Sequence, residues 1–122
     1  MCHMMEHQIG AYVNCNHGAG LAVLHPAYYR RIYKDGPAKF VRFAVSVWGI
    51  ERGDMDDDAL ALRGIDALAS FIREIGLPTT LREVNVTADT DLRAIADSVT
   101  VTPGCYRRLS HEEIYDLFRE VF

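Results

Sequence analysis

Apolar residues along this chain recur at the spacing of an α-helix in every segment that shows clear periodicity, and this repeat is the strongest constraint on its fold. Near the N-terminus, Met5, Ile9 and Tyr12 stand at i, i+4 and i+7. His3, His7 and Gly10 repeat with the same spacing, offset by two residues, which is about 200° around a helix. One side of this helix is therefore expected to pack on a core while the opposite side presents histidines.

The rest of the chain follows the same period. A second helix is predicted from about His17-Gly18 through Leu21, Leu24 and Tyr28, with Pro26 inside it as a source of kinking. Asp35-Gly36-Pro37 reads as a turn that places proline at the first position of a third helix. That helix carries Phe40, Phe43, Ala44 and Val47 on one face and Val41, Val45 and Trp48 beside it. Being apolar most of the way round, it is expected at the centre of the molecule. Asp54, Asp56, Asp57 and Asp58 precede Ala61, Ile65, Leu68, Ile72 and Ile75. Clustered carboxylates can also hold a metal, but acids favoured by a helix macrodipole explain the run better. Gly76 and Pro78 then end that helix. Leu92, Ile95, Ala96 and Val99 mark a shorter helix, and Ser110-x-x-Glu113 is a capping box ahead of Ile114, Leu117, Phe118 and Val121. Only Val84 to Val86 and Val99 to Val101 could pass for strands, and both are too short for a sheet. The expected fold is all-α, a compact bundle of five or six helices forming one domain over residues 1–122.

Composition narrows the functional classes. With 122 residues, 49% of them hydrophobic, a domain of this size can bury roughly two-thirds of its unfolded surface. No apolar run is long enough to cross a bilayer, Arg42 interrupting the best candidate, and no signal-peptide pattern is expected at the N-terminus. Net charge is −4, and the basic clusters Arg30-Arg31 and Arg107-Arg108 are short, so a nucleic-acid partner is discounted and solvated helix faces explain them. Cys2, Cys15 and Cys105 are odd in number and unpaired by motif, which points to free thiols in a reducing, cytoplasmic setting.

The histidines carry the chemistry. His3 and His7, four apart on a helix, present their rings on one side about a turn apart, and His17 follows after a short break. Imidazoles gathered in this way suit a first-row metal such as zinc or iron. Spacing alone leaves a metal site and ordinary surface or core histidines both open. No carboxylate adjacent in sequence stands out as a further ligand, so a site built from this chain alone is expected to be incomplete. Gly10, Gly18 and Gly20 around these histidines are compatible with close approach of a ligand or second domain, and equally with helix packing.

The stretch from His3 to Tyr12 (HMMEHQIGAY), followed by Asn16-His17-Gly18-Ala-Gly-Leu-Ala, resembles the signature of the iron-containing alcohol dehydrogenases. In that family a helix carries His-x-x-x-His, and His-Gly follows ten residues later before a small-residue helix containing proline. Phe40 to Ile50 (FVRFAVSVWGI), Gly76 to Leu81, Leu92 to Ala96 and Leu109 to Ile114 resemble the butanol dehydrogenase branch. The resemblance covers nearly the whole chain and implies the all-helical C-terminal domain of these enzymes, of dehydroquinate synthase-like architecture. It further implies that His3 and His17 are metal ligands, whereas His7 lies close to metal and nicotinamide and serves in catalysis by positioning or proton relay.

For the complete enzyme the resemblance implies NAD- or NADP-dependent interconversion of a primary alcohol and its aldehyde, with a divalent iron or zinc ion. Family members also carry an N-terminal nucleotide-binding domain with a Gly-Gly-Gly-Ser segment, and an Asp-x-x-x-His pair that completes the metal's ligands. Neither motif occurs here. The expectations are therefore a fragment lacking its N-terminal domain, with no cofactor-binding residues of its own, a half-built metal site and no turnover in isolation. Surface left bare by the absent domain implies self-association as a homo-oligomer, or a frayed first helix. The alternatives are a stand-alone helical binding module, or a metal-dependent oligomer that pools its histidines without catalysis.

Overall fold

The computed structural model describes all 122 residues and contains only helices and connecting turns. Six α-helices follow one another: α1 (Cys2–Val13), α2 (His17–Ile32), α3 (Pro37–Trp48), α4 (Asp57–Glu74), α5 (Leu92–Ser98) and α6 (His111–Glu120). Short 3-10 turns cover Tyr33–Asp35 and Leu81–Val84. The first of the two segments considered as strands thus runs from a helical turn into a buried Val86, and the second trails from the end of α5.

Helix boundaries follow local chemistry. Asn16 accepts a hydrogen bond from the Ala19 amide to start α2, and Asp56 accepts one from Ala59 to start α4. The aspartate run is therefore a helix start, with Asp57 and Asp58 in the first turn. Pro37 occupies the first turn of α3. The Ser110–Glu113 capping box forms in both directions at the start of α6. Past the end of α4, Gly76 adopts a positive φ of 74°, and Leu77 closes the end by donating to the Ile72 carbonyl. α2 runs unbroken through Pro26.

α2 is the central element, touching α1, α4 and α6. Val23, Leu24, Ala27, Tyr28 and Ile32 line its buried side, facing Met5 and Ile9 of α1, Ile65 of α4, and Leu117 and Phe118 of α6 in one apolar core. Fully burying side chains of this size contributes about 1.5–3 kcal/mol each. Ion pairs reinforce the same junctions: Arg30 reaches Asp66 on α4 at 2.5 Å, and Arg31 reaches Glu120 on α6 at 2.8 Å. Arg107 is more than a solvated charge. It pairs with Glu113 at 2.5 Å and donates to the Arg31 carbonyl at 3.1 Å, tying the α5–α6 connection to the end of α2. The Arg107 guanidinium in turn holds the Glu113 carboxyl below its ordinary range.

Two expectations fail. α3 is not central: of its twelve residues only Phe40 and Ala44 are buried, while Val45 and Val47 are exposed. It packs on α4, and Phe71, Ile75 and Leu77, in and just past the last turn of α4, are exposed as well. Periodicity showed that α3 was apolar most of the way round, but not how many of those sides a neighbour would cover. Tyr12 also departs from the apolar face of α1, being 53% exposed in the last turn of the helix.

Candidate metal centre

The turn between α1 and α2 builds the site. Asn14 takes a left-handed conformation (φ 53°, ψ 52°) that an asparagine tolerates, and its N–H caps the Gly10 carbonyl. Asn16 then starts α2 at once, so His17 folds back beside the exposed face of α1. As the helical period requires, His3 and His7 are exposed on that face, while Met5 and Ile9 are fully buried on the other.

The fold brings the three expected histidines together. Ring centroids of His3 and His17 stand 5.4 Å apart, those of His7 and His17 5.3 Å, and those of His3 and His7 6.2 Å. With metal–nitrogen bonds of about 2.1 Å and near-tetrahedral angles, rings sharing an ion have centroids about 5 Å apart. Both pairings through His17 fit, and the wider His3–His7 pair spans the same opening. Imidazole donors of this kind suit a first-row divalent ion. The tightest group of potential ligand atoms is Glu6, His7 and His17, all within 4.8 Å of one another. His3 sits at the edge of that group, between His17 and His25.

Two members of the cluster were not anticipated from sequence. Glu6 is the one charged residue in the buried set, at 2% exposure. Its Oε2 pairs with Nδ1 of His17, and its Oε1 accepts from the Cys15 thiol at 3.7 Å. Burial, and then the neighbouring Glu6 carboxylate, push the Cys15 thiol upward. The signal for Glu6 was present: Cys2, Met5, Glu6 and Ile9 stand at i, i+3, i+4 and i+7, so Glu6 occupies the apolar stripe. A carboxylate there must find partners, because an unpaired buried charge is costly.

His25 is the second. Its ring lies 6.4 Å from that of His3 and packs edge-on against Tyr29, and its Nδ1 bonds the Leu21 carbonyl at 2.9 Å. Burial holds its pKa below the ordinary histidine value despite that hydrogen bond. Eight residues beyond His17 on α2, it was too far along the chain to be read as part of the motif. The fifth histidine, His111, bonds the Val99 carbonyl at 3.0 Å and stands apart.

The glycines resolve toward packing. A Cβ on Gly20 would lie 2.8 Å from Cγ of Glu6 and 3.3 Å from Sγ of Cys15, so α2 needs a glycine where it passes the buried carboxylate. Gly10 faces the same carboxylate at an ordinary 3.5 Å.

Comparison with known proteins agrees with this architecture. The structure superimposes on that of a 1,3-propanediol oxidoreductase with a TM-score of 0.89 and 28% identity, over 99% of this chain and 32% of that one. It superimposes on NADH-dependent butanol dehydrogenase A from Thermotoga maritima with a TM-score of 0.86 and 29% identity, over 98% and 32% respectively. In sequence it is 32% identical to NADH-dependent butanol dehydrogenase A of Clostridium acetobutylicum over 99% of its own length. The chain spans about a third of the length of the curated relatives it matches, 32% in that case. Residues 1–122 match the family model described as Fe-containing alcohol dehydrogenase family, C-terminal. Six helices without strands, a histidine-bearing first helix pair and this match along the full sequence make the chain a C-terminal domain of the iron-containing alcohol dehydrogenase family.

Proposed function

We propose that this chain forms the metal-binding wall of the catalytic cleft in an NAD(P)-dependent alcohol dehydrogenase or aldehyde reductase. The observation that carries the reading is the convergence of His3, His7 and His17 on one exposed face, with both pairings through His17 spaced as rings that share an ion would be. His3 and His17 hold the metal; iron is the ion in the family's description, and imidazoles accept zinc as well. His7, on the same face one turn from His3, orients the substrate and relays a proton at its ring nitrogen. A bound metal would supply Lewis-acid polarisation of the oxygen of a primary alcohol or aldehyde, and a bound nicotinamide would supply the hydride chemistry. The remaining ligands and the nucleotide site belong to an N-terminal domain that partners this one.

The test is metal uptake and turnover by the chain on its own. A divalent first-row ion should bind weakly, and His3→Ala or His17→Ala should each weaken uptake at least tenfold, measured by calorimetry. Butanol oxidation and butanal reduction with NAD(H) or NADP(H) should be undetectable. Uptake unchanged in both variants would remove the ligand assignment. Turnover at the rate of an intact dehydrogenase would show instead that the site is complete in this chain.

A further inference from the structure

The buried Glu6 is absorbed neither by the apolar core nor by the set of metal ligands. Three independent features converge on it. It is 2% exposed, so its carboxylate was withdrawn from water into the α1–α2 junction. Both oxygens are occupied, Oε2 by Nδ1 of His17 and Oε1 by the Cys15 thiol. Finally, α2 has no Cβ at Gly20, where one would lie 3.0 Å from Oε1 and closer still to Cγ. Burying a carboxylate against the tendency of a helix interface to be apolar costs stability unless its partners compensate. Here the principal partner is a histidine of the candidate metal site.

From this arrangement we infer that Glu6 is a positioning residue, which fixes His17 in its Nδ1–H tautomer and turns Nε2 outward as the metal-binding atom. The inference rests on the reading of His17 as a ligand. A neutral imidazole has one donor and one acceptor nitrogen, and the bond made by one decides what the other offers. Because the carboxylate accepts at Nδ1, the proton resides there and the Nε2 lone pair is left free. Half of the His17 side chain is exposed (52%), and Glu6 is its one hydrogen-bond partner. A carboxylate behind a ligating histidine also raises its basicity, and losing such a partner weakens metal affinity by about 10–100-fold. Both Glu6 oxygens are taken up within the junction, by His17 and Cys15. Because one ligand atom each of Glu6, His7 and His17 also lie within 4.8 Å of one another, the Glu6→Gln variant is what separates a positioning carboxylate from a direct ligand.

The experiment combines nitrogen-15 NMR of the metal-free chain with zinc(II) titration, on wild type, Glu6→Gln and Glu6→Leu. Circular dichroism confirms that each is folded. In mildly alkaline buffer, His17 of the wild type should show the Nδ1–H form, the opposite of the Nε2–H form that an unpartnered imidazole favours. Glu6→Gln keeps an acceptor oxygen, so it should retain the Nδ1–H form and stay within about tenfold of wild-type affinity. Glu6→Leu should revert to the Nε2–H form and lose more affinity than Glu6→Gln. An unchanged tautomer in Glu6→Leu, or a Glu6→Gln variant as impaired as Glu6→Leu, would overturn the inference. The second result would mean that the charge itself, as in a direct ligand, matters more than the hydrogen bond. Failure of the wild type to take up zinc would overturn the ligand reading of His17, while the tautomer would still report on Glu6.

Discussion

Two helix pairs in this domain use the same device for opposite ends. In the α3–α4 pair, Gly64 lets the helices close until a Cβ there would lie 2.8 Å from Ala44 Cβ and 2.9 Å from its Cα. The space left by the missing side chain is filled by a neighbouring backbone, and the product is dense apolar packing with no titratable group inside it. In the α1–α2 pair, Gly20 leaves a similar space, and a carboxylate fills it. There the product is a buried hydrogen-bonded group directly behind a histidine. Close approach of helices is thus a structural tool in one pair and, on the inference above, a means of orienting His17 in the other. The side chain that meets the glycine makes the difference.

The largest effect that tests this division comes from the core of α4. Ile65 is fully buried, and Ile65→Ala should destabilise the chain by about 2–5 kcal/mol in urea unfolding. Zinc affinity measured well below the unfolding midpoint should stay within twofold of wild type. A larger change in affinity would mean that the shared core and the histidine face are not independent.

Next come the glycines themselves. Gly64→Ala meets backbone and must push α3 and α4 apart, at a cost of about 1–3 kcal/mol. Gly20→Ala meets the Glu6 side chain instead, so its main effect should be a zinc affinity about tenfold weaker. If Gly20→Ala proved purely destabilising, with metal uptake unchanged, the carboxylate would have to be counted as packing only.

The smallest effects should come from the two N-caps. Asp56→Ala and Asn16→Ala each remove one side-chain bond to an amide and should cost about 1 kcal/mol in unfolding experiments. Only Asn16→Ala loosens the turn that carries His17, so only that variant should also weaken zinc binding measurably. Equal behaviour of the two in metal titrations would deny that the turn contributes to the site.

How much was legible before the fold was known follows the range of the interactions concerned. The ends of α2, α3, α4 and α6 are set by residues within a few positions of each other, namely Asn16, Pro37, Asp56, Gly76 and the Ser110–Glu113 box. Each carries its own signal. His3 and His7 were recognisable as a pair because one helical turn separates them, and His17 because it follows them after a short break, its role as a ligand being implied only by the family resemblance. Their convergence required the left-handed Asn14, a conformation that the sequence permits without demanding. Glu6 and His25 escaped notice for different reasons. Glu6 was hidden in an apolar stripe between two conspicuous histidines, and His25 reaches the cluster only because α2 runs alongside α1.

The sequence by itself therefore determined the helical class, most helix ends, the family, and which histidines to suspect. These depend on periodicity, caps and motif spacing, all of which act over short stretches of chain. Tertiary structure alone decided that α3 lies on the outside, that Tyr12 leaves the core, and that Glu6 stands behind His17. Whether an apolar side is covered depends on how many neighbours can pack around it, and whether a carboxylate can be buried depends on which donors arrive from another helix. Both are properties of surfaces meeting in space, and no local repeat in the chain encodes which surfaces meet.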